Sequence, residues 1–136
     1  MATRLTRDAW LIGTGQHKGM ERAIAISVRT VGSRGLYSSI VTTAPGEQTR
    51  VHHHGECETS IYILSGKARY SFGPTGVEER FDANAGDFVY IPAGTPHLPV
   101  NASSTEACVA LVARTDPNEQ ESVVLLPELD GLPHLH

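Results

Sequence analysis

Short runs of alternating apolar and polar residues, each closed by glycine or proline, make up most of the chain. Residues 23–31 are compact and β-branched and predict a strand, ended by a turn at 32–35. Residues 36–43 predict a second strand, stopped by Pro45 and Gly46. Further strands are predicted over 60–64, 67–72, 77–82, 88–91, 98–100 and 106–113, with a last edge strand at 122–126. The run 106–113 suits a helix by propensity, but it is short and set among strands, so it reads as a strand. Glycines at 13, 15 and 19 interrupt residues 1–22, which read as an irregular N-terminal segment. The stretch 13–19 has neither the Walker spacing nor the dinucleotide spacing of glycines, and it reads as a loop. About nine short strands and no three-turn helix predict an all-β fold, an antiparallel sandwich or barrel, as a single domain over 1–136.

Composition narrows the classes of function. Thirteen glycines and eight prolines in 136 residues supply the turns such a fold needs. A net charge of −4 with no cluster of Lys or Arg argues against nucleic acid as a partner. No apolar run approaches ~18 residues, so no membrane-spanning helix is expected. The basic residues near the N-terminus are followed by no apolar stretch, and a cytoplasmic location is expected. Cys57 and Cys108 form no Cys-x-x-Cys pair, which suits a reducing compartment.

Two stretches carry candidate chemistry. In the first, His52 and His54 stand two residues apart, so on an extended strand both side chains leave one face. Imidazoles on one face are suited to a transition metal, and a carboxylate a few residues on could complete the site. The same histidines could equally belong to an exposed polar loop. By alternation, His53 points the opposite way. In the second stretch, Pro92 and Pro96 cannot donate ladder hydrogen bonds, and Gly94 permits a positive φ. Together they make a stiff bend that aims His97 in one direction.

Taken together, these stretches resemble the cupin superfamily. Gly46, His52, His54, Glu58 and Gly66 follow its first motif, and Gly86, Pro92, Gly94, His97 and Asn101 follow its second. The resemblance implies a double-stranded β-helix, or jelly-roll barrel, holding one divalent metal: iron, manganese, zinc or nickel. It implies His52, His54 and His97 as ligands, with Glu58 as the fourth. One spacing departs from the family pattern, because seven residues separate Glu58 from Gly66 where the pattern has six. Counting forward from His54 gives Glu58 as the ligand, whereas counting back from Gly66 gives Thr59. A bulge near Glu58 would reconcile the two, and Glu58 is the expected ligand.

Cavity-lining candidates are Tyr37, Ser39, Arg69 and Phe88, with ordinary packing or the outer barrel face as the alternative for each. If Arg69 points inward, it suits a carboxylate or phosphate. Tyr62, Tyr90 and Glu58 are the candidates for proton transfer. Glu56 and Cys57 are expected in a loop beside the barrel mouth, with no basic neighbour to activate the thiol. The resemblance admits a metalloenzyme acting on a small organic molecule, either dioxygenase-like or a Lewis-acid isomerase, cyclase or lyase. Its alternative is a non-catalytic binder of a sugar or other small molecule. A homodimer is expected, paired through the edges at 23–31 and 122–126.

Overall fold

Side chains that alternate between a packed interior and the outside fold this chain into two facing antiparallel sheets. The structure, a computed structural model, describes residues 2–14, 19–118 and 120–135. Its strands are β1 (Leu11–Thr14), β2 (Met20–Ile26), β3 (Tyr37–Thr43), β4 (His52–His53), β5 (Thr59–Ser65) and β6 (Lys67–Phe72). They continue with β7 (Glu79–Asn84), β8 (Phe88–Ile91), β9 (His97–Val100), β10 (Cys108–Arg114) and β11 (Val124–Leu125). One sheet has the order β1-β2-β3-β10-β5-β8 and the other β11-β4-β9-β6-β7. Ile61, Ile63, Ala68, Tyr70, Val89, Ile91, Ala110 and Val112 fill the space between them. The pattern predicted an antiparallel sandwich or barrel, and this is the jelly-roll barrel that the resemblance implied.

Several boundaries differ from the sequence expectation, each for a local reason. The N-terminal segment is not wholly irregular, because β1 pairs with β2 and only part of the expected loop at 13–19 falls on described residues. The strand predicted over 23–31 ends at Ile26, and Val28–Val31 form one helical turn, α1. A capping box causes this: Ser27 Oγ accepts from the Thr30 N–H at 3.3 Å, and Thr30 Oγ1 accepts from the Ser27 N–H at 2.9 Å. Gly32 then closes the turn in the left-handed conformation at φ 69°. β2 lies between β1 and β3, so it is not the sheet edge that was expected. β11 does lie at an edge, paired with β4. Beyond it, Leu126, Leu129 and Leu135 pack against Val51, Val77 and Leu98 and close one end of the barrel.

Two motif residues prove to be structural. Gly66 has φ +78°, and a Cβ there would stand 2.4 Å from the Ala107 carbonyl oxygen, so only glycine lets the β5–β6 turn approach β10. Asn101 is buried, and its Nδ2 donates to the carbonyls of Thr43, Ala44 and Glu106 at 3.0, 3.3 and 2.8 Å. Its Oδ1 accepts from the Ser103 N–H at 3.1 Å. Asn101→Ala is therefore expected to cost about 2–3 kcal/mol in urea unfolding by leaving buried carbonyls unsatisfied.

The outer face of the larger sheet carries an apolar row. Ile12, Ala23, Ile40, Leu111, Tyr62 and Phe88 are successive cross-strand partners, one from each of its six strands. Ile12, Leu111 and Phe88 are exposed, Phe88 at 73%.

Candidate metal centre

Neighbouring strands of the smaller sheet bring the three histidines together. His52 on β4 is the direct cross-strand partner of His97 on β9, and His54 follows two residues after His52. All three are buried, and one ring nitrogen of each lies within 4.8 Å of the others. Each Nδ1 is held by a main-chain carbonyl: His52 by Arg50 at 2.6 Å, His54 by Glu121 at 2.6 Å and His97 by Thr95 at 2.9 Å. A carbonyl can only accept, so each Nδ1 carries the proton and each Nε2 keeps its lone pair.

Protonation agrees with that assignment. Burial pushes the pKa of His52 down to about 3, with His54 beside it adding to the effect. Burial and the Arg114 guanidinium lower His54 to about 3, and burial and His52 do the same for His97. Near neutral pH all three are uncharged imidazoles with oriented Nε2 atoms, the form in which histidine binds metal. The residues thus fit a divalent transition metal, which His52, His54 and His97 would hold.

The fourth ligand expected from the sequence does not join them. Glu58 is exposed and accepts a 2.6 Å hydrogen bond from the Tyr90 hydroxyl on the outside of the barrel. Thr59, at 2% exposure, takes the inward position instead. A bulge does absorb the extra residue, but it lies at Leu64: Val109 pairs with Ser65 and Ala110 with Ile63. Alternation from Thr59 to Ile63 is undisturbed, so Glu58 stays outside. Glu58→Gln is expected to change divalent-metal affinity less than about twofold, whereas loss of a true ligand would cost far more than the roughly 10–100-fold typical of an outer partner. A metal titration distinguishes the two.

Other candidates divide by face. Tyr37 and Ser39 are buried on β3 inside the barrel. Burial raises the Tyr37 hydroxyl to about 12, with the nearby charge of Glu121 adding to it. Arg69 is not in the cavity, because it bonds Asp82 at 2.9 Å on the outer face of the smaller sheet. Phe88 and Tyr62 pack with tilted rings on the outer face of the larger sheet, ring centroids 4.6 Å apart, and Tyr90 is exposed beside them. The proposed proton-transfer residues Tyr62, Tyr90 and Glu58 therefore lie outside the histidine cluster. His53 turns away from it and accepts the Gly55 N–H at Nδ1. Cys57 is buried, its thiol donates to the His54 carbonyl, and burial raises its pKa. Cys57 and Cys108 are both free.

Sequence reading missed Arg114 and Glu121. Arg114 ends β10 on the inward parity of Cys108, Ala110 and Val112. Its Nη1 donates to Glu121 Oε1 at 2.6 Å, its Nη2 lies 3.2 Å from His54 Nε2, and its guanidinium stands 5.7 Å from the Tyr37 ring centroid. Glu121 also pairs with Arg22 at 3.2 Å. Burial opposes ionisation of Glu121, but Arg114 and Arg22 outweigh it and hold the carboxyl below its usual range. A cavity of about 80 Å³ opens onto His52, His97, Arg22, Arg114 and Glu121. Alternation along 108–114 could have flagged Arg114 as inward, but nothing in the sequence ties Glu121 to it.

Fold and histidine cluster together define a metal-binding β-barrel of the cupin type. The family described as Cupin domain matches residues 39–114, and this chain belongs to it. Over 87 residues it is 32% identical to oxalate decarboxylase OxdC of Bacillus subtilis (strain 168), covering 63% of this chain and 23% of that protein. An uncharacterized protein of Methanocaldococcus jannaschii is 29% identical over 97 residues, covering 68% of this chain and 63% of that one. Among solved structures, B. subtilis oxalate decarboxylase described with Mn(II) centres superposes with a TM-score of 0.70 at 29% identity, over 81% of this chain and 29% of that chain. Another structure of that decarboxylase gives 0.71 at 29% identity, over 84% and 30%. This chain thus spans less than a third of the length of the decarboxylase it resembles.

Proposed function

We propose that this protein is a metal-dependent enzyme that binds a small organic molecule at an open three-histidine centre. The observation that carries this reading is the set of three buried, neutral imidazoles, one ring nitrogen of each within 4.8 Å of the others. A divalent ion there would supply either redox chemistry, as with iron or manganese, or Lewis-acid polarisation, as with zinc or nickel. The manganese named for the Bacillus relative favours a redox-capable ion. The chain's own residues orient the ligands and form the cavity wall, and the barrel strands keep bulk water from the site. Arg114 places a positive charge at its rim.

A second reading, a non-catalytic small-molecule binder, draws support from one observation. Tyr62, Tyr90 and Glu58 face outward, so none of these acid–base candidates reaches the cluster. Elemental analysis of protein purified without a histidine tag, followed by turnover assays on dicarbonyl, thiol-acid and sugar substrates, separates the two. Stoichiometric metal with turnover supports the enzyme; metal without turnover on any of them supports the binder.

A second copy of the chain is the proposed protein partner. The apolar row across the larger sheet spans five strand spacings, roughly 24 Å, and leaves Ile12, Leu111 and Phe88 exposed. The free cysteines suit the cytoplasmic setting proposed for it. Among the described residues no helix is long and apolar enough to cross a membrane.

A further inference from the structure

We propose that the centre binds its metal together with a small carboxylate anion, clamped by Arg114, and that each tightens the binding of the other. This rests on the three-histidine metal reading and extends it to the ligand.

The argument starts from charge. Three neutral imidazoles cancel none of a divalent ion's charge, and among the described residues no carboxylate joins their cluster. Glu58 is outside, and Thr59 occupies the inward position in its place. Arg114 adds a further cation, 8% exposed, with Nη2 3.2 Å from the His54 nitrogen that would face the metal. Glu121, the carboxylate paired with Arg114, divides its charge between Arg114 and Arg22. Buried positive charge of this kind is costly unless an anion shares the site.

The guanidinium also shows where that anion would sit. Glu121 takes Nη1 and His54 Nε2 accepts from Nη2 at 3.2 Å, which leaves Nε and the second hydrogen of Nη2. Those two N–H donors lie side by side at the spacing of a carboxylate's oxygens, the fork that makes arginine–carboxylate pairs bidentate. Nε of Arg114 is buried with no hydrogen-bond partner, in a residue that lines the cavity. A buried, unpaired donor of that kind is rare and asks for a ligand. The cavity of about 80 Å³ limits the ligand's size. A single water needs roughly 10–15 Å³ on the same measure, so an acid of about two to four carbons fits. One carboxylate can then satisfy Arg114 Nε and also offer an oxygen on the metal side, the role that no side-chain carboxylate of this cluster fills.

Linkage makes the proposal measurable, because any factor by which the anion raises metal affinity must equal the factor by which metal raises anion affinity. The test titrates Mn(II) into the full-length protein at buffered free metal, with binding read by electron paramagnetic resonance. Chloride, phosphate, acetate and oxalate are supplied in turn. Acetate or oxalate should tighten Mn(II) binding at least tenfold over chloride, and phosphate should do less. Arg114→Lys keeps a cation opposite Glu121 and so protects the fold, but it lacks the fork; the gain should drop below threefold while Mn(II) still binds. Arg114→Met should abolish the gain. Equal Mn(II) affinity in chloride and carboxylate for the wild type overturns the inference, as does an undiminished gain in Arg114→Lys. Absence of Mn(II) binding under every anion instead overturns the metal reading beneath it.

Discussion

Replacing His97 with alanine is expected to lower divalent-metal affinity by at least about 100-fold. Loss of an outer hydrogen-bond partner already costs roughly 10–100-fold at metal sites, and here a ligand itself is removed. No other His, Cys, Asp or Glu among the described residues joins the cluster, so no side chain stands ready to replace it. The effect should be local, because β9 is also held by β6 through Arg69–Val100, Tyr70–Pro99 and Ser71–Leu98. Calorimetric titration with Mn(II) or Zn(II), alongside circular dichroism to show retained fold, makes the measurement. Equal affinity for wild type and variant would eliminate the metal centre.

The second large effect is on stability. Glu121→Ala should destabilise the protein by about 3–5 kcal/mol in urea unfolding, the range found when one partner of a buried ion pair is removed. Glu121 is 3% exposed and sits 2.6 Å from Arg114, itself buried, and 3.2 Å from Arg22. The variant would leave the Arg114 guanidinium inside the barrel without its carboxylate. A paired variant, Glu121→Ala with Arg114→Met, should recover part of the loss, since it removes the stranded charge as well. A change below about 1 kcal/mol for Glu121→Ala alone would show that the pair contributes little.

Much of the fold could be read from strand alternation and from the glycine and proline breaks, because these act locally. The two histidine stretches were legible for the same reason: parity puts His52 and His54 on one face, and Pro92 and Pro96 frame the bend before His97. Parity failed where both faces of a strand look alike. Arg69 lies between Ala68 and Tyr70, and no pattern within 67–72 says which set is inward; packing against the other sheet decides it. Phe88 and Tyr90 are large and apolar and so read as interior, yet the smaller Val89 and Ile91 hold that position. Glu58 was misplaced because the bulge that absorbs the extra residue formed near Gly66 rather than at the carboxylate. Glu121 was invisible because its role depends on a chain return that only the folded barrel creates.

That return has a consequence for local stability. Glu121 and Ser122 both have left-handed backbones, φ 61° and 48°, a conformation that costs roughly 1–2 kcal/mol per non-glycine residue. The same residue supplies the carbonyl that orients His54 and the carboxylate that holds Arg114. Opening this one strained turn would free an imidazole and a guanidinium in a single event. Amide hydrogen exchange at 120–122 should therefore report the integrity of the whole centre, with protection rising when it is occupied.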